Sequence, residues 1–286
     1  MNRTPFTTLN FGGKLLELNE PMVLGILNVT PDSFYAESRK LTERNVIEAA
    51  GKMLGDGAHI IDVGACSTRP GADLTSQTEE LVRMKWALGI LRKEFPDAIL
   101  SADTYRATLA QCCVEEYGVQ LINDISGGEL DPNMFATVAR LGVPYILTHS
   151  KAIENSTQTA SSYDNLMCEI LTYFGRKVQE LHELGVKDII IDPGFGFSKS
   201  LSHNYELLDR LHELQTLHLP LMAGVSRKRM VYQLLGCTPQ EALNGTTVLH
   251  TISLMKGVQF LRVHDVKEAV ETVRIVTATM NKGQGL

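Results

Sequence analysis

Asp103, Asn123 and Asp192 each stand directly behind a short apolar run: Ala98–Ala102, Val119–Ile122 and Asp188–Ile191. Two carboxylates and an amide that can both donate and accept suit a polar heterocycle, above all inside an apolar mouth. Helix capping is the bland role for Asp, Asn and Ser at such places. It fits Asp265, which precedes an apolar stretch and has Glu268 three residues on, and Asp124 and Ser126 fit either role. Capping does not account for three polar groups placed alike behind three different runs. A second set is basic. Arg227 and Lys228 lie in the loop after Pro220–Ala223, and Arg262 and His264 follow Val258–Leu261. Together with Asn28, behind Met22–Leu27, they could receive an anion. No carboxylate cluster accompanies them. Mg²⁺ there would be held mainly by substrate phosphates and water, with Asn28 as one oxygen ligand.

The runs that carry these residues form a series of eight: Met22–Leu27, His59–Val63, Ala98–Ala102, Val119–Ile122, Pro144–Leu147, Asp188–Ile191, Pro220–Ala223 and Val258–Leu261. Short, apolar and partly β-branched, they are expected to be buried parallel strands. The stretches between them read as helices. Val46, Ala50, Met53 and Leu54 recur at helical spacing, and Ser76 with Glu79 and Thr238 with Glu241 make capping boxes. Asp131 before Pro132 suggests an N-cap followed by the first helical residue. Gly118, Gly142 and Gly185 sit where helices should end. Eight strand–helix units imply an α/β fold, a (β/α)₈ TIM barrel, over 21–286 as a single domain. Residues 1–20 would carry an N-terminal β-hairpin, Phe6–Leu18, turning at Gly12 and Gly13. In such barrels the chemistry lies at the C-terminal strand ends, with phosphate often held after strands 7 and 8. Closure sets strand 1 beside strand 8, so Asn28, Arg262 and His264 are expected to meet. A doubly wound open sheet would ask for a Gly-rich turn where the chain has Asn28-Val29-Thr30-Pro31-Asp32.

A net charge of −6 gives no general attraction for nucleic acid or anionic membranes. No apolar run approaches the roughly 20 residues of a membrane span. Met1–Asn10 is polar and lacks the apolar core of a secretion signal. The five cysteines make no C-x-x-C pair, so they are expected to be mostly buried thiols of a cytoplasmic protein. The eight histidines show no zinc-binding spacing.

The motifs resemble those of dihydropteroate synthases. Asn28-Val-Thr-Pro-Asp-Ser-Phe34, Ser67-Thr-Arg-Pro-Gly71, Ser101-Ala-Asp-Thr-Tyr105, Ile122-Asn-Asp-Ile-Ser-Gly127, Asp192-Pro-Gly-Phe-Gly-Phe197, Ser226-Arg-Lys228 and Arg262-Val-His-Asp-Val266 follow the family order across almost the whole chain. The resemblance implies condensation of (7,8-dihydropterin-6-yl)methyl diphosphate with 4-aminobenzoate by an SN1-like substitution. It implies that Asp103, Asn123, Asp192 and Lys228 bind the pterin, and that Asn28, Arg262 and His264 bind the diphosphate. Mg²⁺ would be a cofactor with Asn28 as ligand. Phe34, Thr68, Arg69, Pro70 and Phe197 would wall the aminobenzoate site, and Ser226, at the start of the helix after strand 7, would meet its carboxylate. Asp32, Asp103 and Lys228 would be catalytic, with both aspartates stabilising a pterin cation. Sulfonamides would target the site. The chain departs from the family pattern at Tyr35–Arg39, at Ala65-Cys66 and at Thr148-His149-Ser150. A pterin-binding methyltransferase domain and a silent pterin-binding paralogue are the alternatives. The presence of both Asn28–Phe34 and Ser67–Gly71 argues against the first, and the complete pterin and anion sets argue against the second. A homodimer is expected from the apolar helices near Thr247–Met255 and Val266–Met280.

Overall fold

The computed structural model describes residues 8–29, 39–66, 76–150 and 163–280. The chain opens with an antiparallel hairpin, β1 (Thr8–Phe11) and β2 (Lys14–Glu17). Its two-residue turn needs positive φ twice, and glycine supplies both, Gly12 at 61° and Gly13 at 94°. Eight parallel strands follow: β3 (Met22–Asn28), β4 (Ile60–Gly64), β5 (Ile99–Asp103), β6 (Leu121–Asp124), β7 (Tyr145–Thr148), β8 (Ile189–Asp192), β9 (Met222–Ala223) and β10 (Phe260–Val263). They pair in sequence from β3 to β8, β10 joins β9 to β3, and a parallel bridge from Ile191 to Leu221 completes the circuit. The expected barrel is present.

Helices α1 (Arg39–Gly55), α2 (Gln77–Glu94), α3 (Ala107–Tyr117), α4 (Met134–Leu141), α5 (Leu166–Glu183), α6 (Leu201–Asp209), α7 (Arg229–Leu235), α8 (Leu243–Met255) and α9 (Val266–Met280) lie between or after the strands. Ser76 caps α2 by accepting from the Glu79 N–H at 3.2 Å. Gly118 and Gly142 end α3 and α4 in the left-handed conformation, and Gly185 (φ 90°) follows α5. Two of the expected caps differ. The Glu241 carboxylate accepts from the Thr238 N–H at 2.9 Å, but in a turn ahead of α8. Asp131 closes a turn onto the Asn133 N–H at 3.0 Å and caps α3 instead, accepting from the Ala107 N–H at 2.8 Å. Nor are most thiols buried: none of the five is in a disulfide, but Cys113 alone is buried and Cys168 is exposed.

Every barrel strand except β9 runs one or two residues past its apolar run. Backbone pairing sets the ladder, and it continues under polar side chains. Asn28 pairs with Gly64, Gly64 with Asp103, and Thr148 with Asp192. The polar residues thus finish the strands rather than follow them, and their backbones are fixed.

Side chains alternate across a strand, so one residue in two faces the barrel axis. The lower inward layer is apolar: Leu24, Ile60, Leu121, Ile146, Ile190, Met222 and Phe260, plugged from below by Leu9 and Phe11 of the hairpin. Each such side chain, fully buried, stabilises by roughly 1.5–3 kcal/mol. Two residues further along come Asp62, Asn123, Thr148, Asp192, Gly224 and Arg262. A polar layer therefore rests on an apolar floor.

Candidate active site

Arg262 holds the centre of the polar layer. Its Nε donates to Asp62 Oδ2 at 2.6 Å and its Nη2 to Asp103 Oδ2 at 2.5 Å. The same Asp62 oxygen accepts from Asn123 Nδ2 at 3.0 Å. Beside them, Asp192 accepts from the Gly194 N–H at 2.8 Å through Oδ1. Gly224 separates the two groups. A Cβ on it would stand 3.9 Å from Asp192 Oδ2, 3.9 Å from Arg262 Cβ and 3.8 Å from Lys228 Nζ. The missing side chain leaves a slot bounded by a carboxylate, an ammonium and the base of the Arg262 side chain.

Lys228 closes the slot on one side. Its Nζ donates to the Phe195 carbonyl at 2.5 Å and lies 4.8 Å from the centroid of the Phe197 ring. Phe197, assigned from sequence to an aminobenzoate wall, thus borders the lysine of the pterin set. The loop that presents both phenylalanines is held from beneath by Lys199, whose Nζ donates to the carbonyls of Gly194 at 2.9 Å and Phe197 at 3.2 Å and meets His149 Nδ1 at 3.1 Å. Gly194 is required there, since a Cβ would fall 2.1 Å from the His149 carbonyl oxygen.

Burial decides the electrostatics. It raises Asp103 to about 7, with Asp62 and Asp124 adding to the rise while Arg262 and Lys228 oppose it. Burial likewise raises Asp192 against the pull of Lys228. Burial lowers Lys228 to about 8, and the neighbouring Arg262 lowers it further, while Asp192 opposes. For Arg262 burial disfavours the cation, but Asp62 and Asp103 outweigh it and raise the guanidinium above its ordinary value. The mouth thus sets three carboxylates against two cations. It suits a neutral ligand rich in N–H donors, and it favours positive charge developing on that ligand.

The anion side is only partly as expected. Asn28 and Asp103 flank Gly64, whose added Cβ would lie 3.4 and 3.3 Å from their side-chain oxygens. Asn28 and His264 are exposed at the rim. Ser226 is not at a helix start, since α7 begins at Arg229. It is buried, and its Oγ accepts from the His264 N–H at 3.2 Å. Arg227 is withdrawn from any anion by a bidentate pair with Asp265, which also displaces the capping role read for that aspartate side chain. Asp124 proves structural: buried, it accepts from the N–H and Oγ of Ser126, the Gly128 N–H and the Tyr145 hydroxyl. Asp32, Phe34, Thr68, Arg69 and Pro70 lie outside the described residues.

Two members of the site were not foreseen. Asp62 had a signal, an acid in the middle of the apolar run His59–Val63. Lys199 had none, because the backbone carbonyls and the His149 ring that it meets are brought to it by the tertiary fold. Among the described residues no group of three or more His, Cys, Asp or Glu is placed to hold a metal. A cation at this rim would depend on Asn28 and on oxygens brought by the substrate, which is the donor set Mg²⁺ accepts beside phosphates.

The family model described as "Pterin binding enzyme" matches residues 24–264. The dihydropteroate synthase of Escherichia coli strain K12 is 39% identical over 271 residues, 94% of this chain and 95% of that one. A Yersinia pestis dihydropteroate synthase in complex with a sulfonamide drug superposes with a TM-score of 0.87 at 40% identity, covering 96% of this chain and 99% of the other. A Xanthomonas albilineans dihydropteroate synthase with 4-aminobenzoic acid gives 0.87 at 31% identity, with the same coverage.

Proposed function

The chain belongs to the pterin-binding enzyme family, and from that premise we infer that it is a transferase with the activity of a dihydropteroate synthase. It joins (7,8-dihydropterin-6-yl)methyl diphosphate to 4-aminobenzoate, giving 7,8-dihydropteroate and diphosphate. The observation that carries the reading is the slot over Gly224, where Asp192 and Lys228 face each other beside the Asp62–Arg262–Asp103 network. Asp192 accepts from the 2-amino and ring N–H groups of the pterin, Asn123 binds the same edge, and Lys228 donates to the carbonyl side.

In the reaction the C–O bond at the pterin methylene breaks and diphosphate leaves with the electron pair. The cation is delocalised into the ring, where Asp103 faces it, and Asp32 is assigned to the same charge. The arylamine nitrogen then attacks the methylene and releases its proton to solvent. The arylamine is already neutral at pH 7, so catalysis rests on charge placement. A well-placed electrostatic group is worth about 3–4 kcal/mol in comparable sites. Asn28, Arg262 and His264 receive the diphosphate at the rim. Mg²⁺ bound through Asn28 would supply neutralising charge to the leaving group. Phe34, Thr68, Arg69, Pro70 and Phe197, with Ser226, are assigned to 4-aminobenzoate.

The exposed apolar side chains Val248 and Met255 on α8, Ile275 on α9, and Leu234 and Leu235 on α7 support a homodimer through these helices. The reaction is tested by incubating the chain with both substrates and Mg²⁺ and measuring dihydropteroate. Tight pterin binding without product would instead favour a pterin-binding paralogue without catalysis.

A further inference from the structure

We infer that Asp62 is a positioning residue for the pterin and diphosphate substrate, acting through Arg262 and Asn123; the inference rests on the reaction proposed above. Asp62 is wholly buried in β4, between Ile61 and Val63 and two residues above Ile60 of the apolar floor. A carboxylate is costly to bury there unless it is paired and hydrogen-bonded. Its Oδ2 supplies both pairings, one to β10 through Arg262 and one to β6 through Asn123. One oxygen thereby fixes two ligand groups that arrive 61 and 200 residues away in the chain.

For Arg262 the effect is orientation. Nε is fixed by Asp62 and Nη2 by Asp103, so the plane of the guanidinium cannot turn without breaking one of the two bonds. For Asn123 the effect is chemical. The Asp62 oxygen accepts from the amide NH₂, which leaves the amide carbonyl to face elsewhere. That carbonyl, Asn123 Oδ1, is buried and has no hydrogen-bond partner among the described residues. Asp62 thus decides that Asn123 shows an acceptor to the heterocycle, the polarity that a pterin N–H edge requires.

The test compares Asp62→Asn and Asp62→Ser with the parent enzyme, using melting temperature, calorimetry with a pterin lacking phosphate, and KM for each substrate. Asp62→Asn keeps the shape but offers an NH₂ that no longer dictates the Asn123 orientation. Pterin affinity is expected to fall, and KM for the diphosphate substrate to rise, by about 10-fold or more. KM for 4-aminobenzoate should change less than about 2-fold, and the melting temperature should fall only modestly, because Arg262 keeps its pairing with Asp103. In an Asn123→Ala background the Asp62→Asn loss should shrink, because the two residues act as one unit. Unchanged pterin affinity in a folded variant overturns the inference. So do fully additive losses, equal losses for both substrates, or failure of both variants to fold, which would assign Asp62 to the fold alone. Calorimetry needs no turnover, so a parent enzyme that makes no dihydropteroate would sink the reaction without deciding the role of Asp62.

Discussion

Arg227 grips Asp265 with two arms of its guanidinium, Nε to Oδ2 and Nη2 to Oδ1, each at 2.8 Å. Its third arm donates to the carbonyls of Pro239 at 2.9 Å and Gln240 at 2.6 Å. One residue, itself in the left-handed region at φ 51°, ties the loop after β9 to the loop after β10. Asp265→Ala should lower unfolding free energy by roughly 1.5–3 kcal/mol, the range for a charged hydrogen-bonded group left without its partner. Chemical denaturation measures it. A loss below about 0.5 kcal/mol would reduce the contact to an ordinary surface ion pair.

Asp192→Ala should abolish measurable pterin binding. One carboxylate oxygen already serves the Gly194 N–H, and the other borders the slot over Gly224. Without it the donor edge of the pterin is buried with no acceptor, at about 1–3 kcal/mol per group. Calorimetry that finds parent-like affinity would remove Asp192 from the site.

The dependence of kcat/KM on pH should be bell-shaped. Asp103 binds its proton more tightly than an ordinary carboxylate because of burial, so the charge that faces the pterin cation is lost as pH falls through about 7. Lys228 holds its proton less tightly because of burial, so its donor is lost as pH rises through about 8. Asp103→Asn should abolish the acid limb and Lys228→Arg the alkaline limb. A profile flat across that window would show that neither group titrates in the free enzyme.

His264→Ala should weaken the diphosphate substrate by about 10-fold and a pterin without phosphate by less than about 2-fold, because His264 stands at the exposed rim. Arg262→Ala should weaken both ligands, since it strips Asp62 and Asp103 of their common cation. Competition binding with the two ligands separates these outcomes. Equal losses for His264→Ala would move that residue to the pterin side or to the fold.

The sequence alone was enough to specify the eight strands, most helix ends and the polar residue at most strand termini. These are local matters: β-branched runs, capping side chains and glycines with positive φ act over a few residues. The motif order across those strand ends also pointed to pterin and diphosphate chemistry. Tertiary structure decided which polar side chains meet. Arg262 reads as one of a basic set that awaits an anion, and only barrel closure brings it to Asp62 and Asp103. Arg227 reads as a second anion ligand until the fold delivers Asp265 to it. Asp62 lies hidden within an apolar run, and its inward direction follows from strand register, which a single run does not fix. Charges find partners by distance in space, and sequence patterns record only distance along the chain.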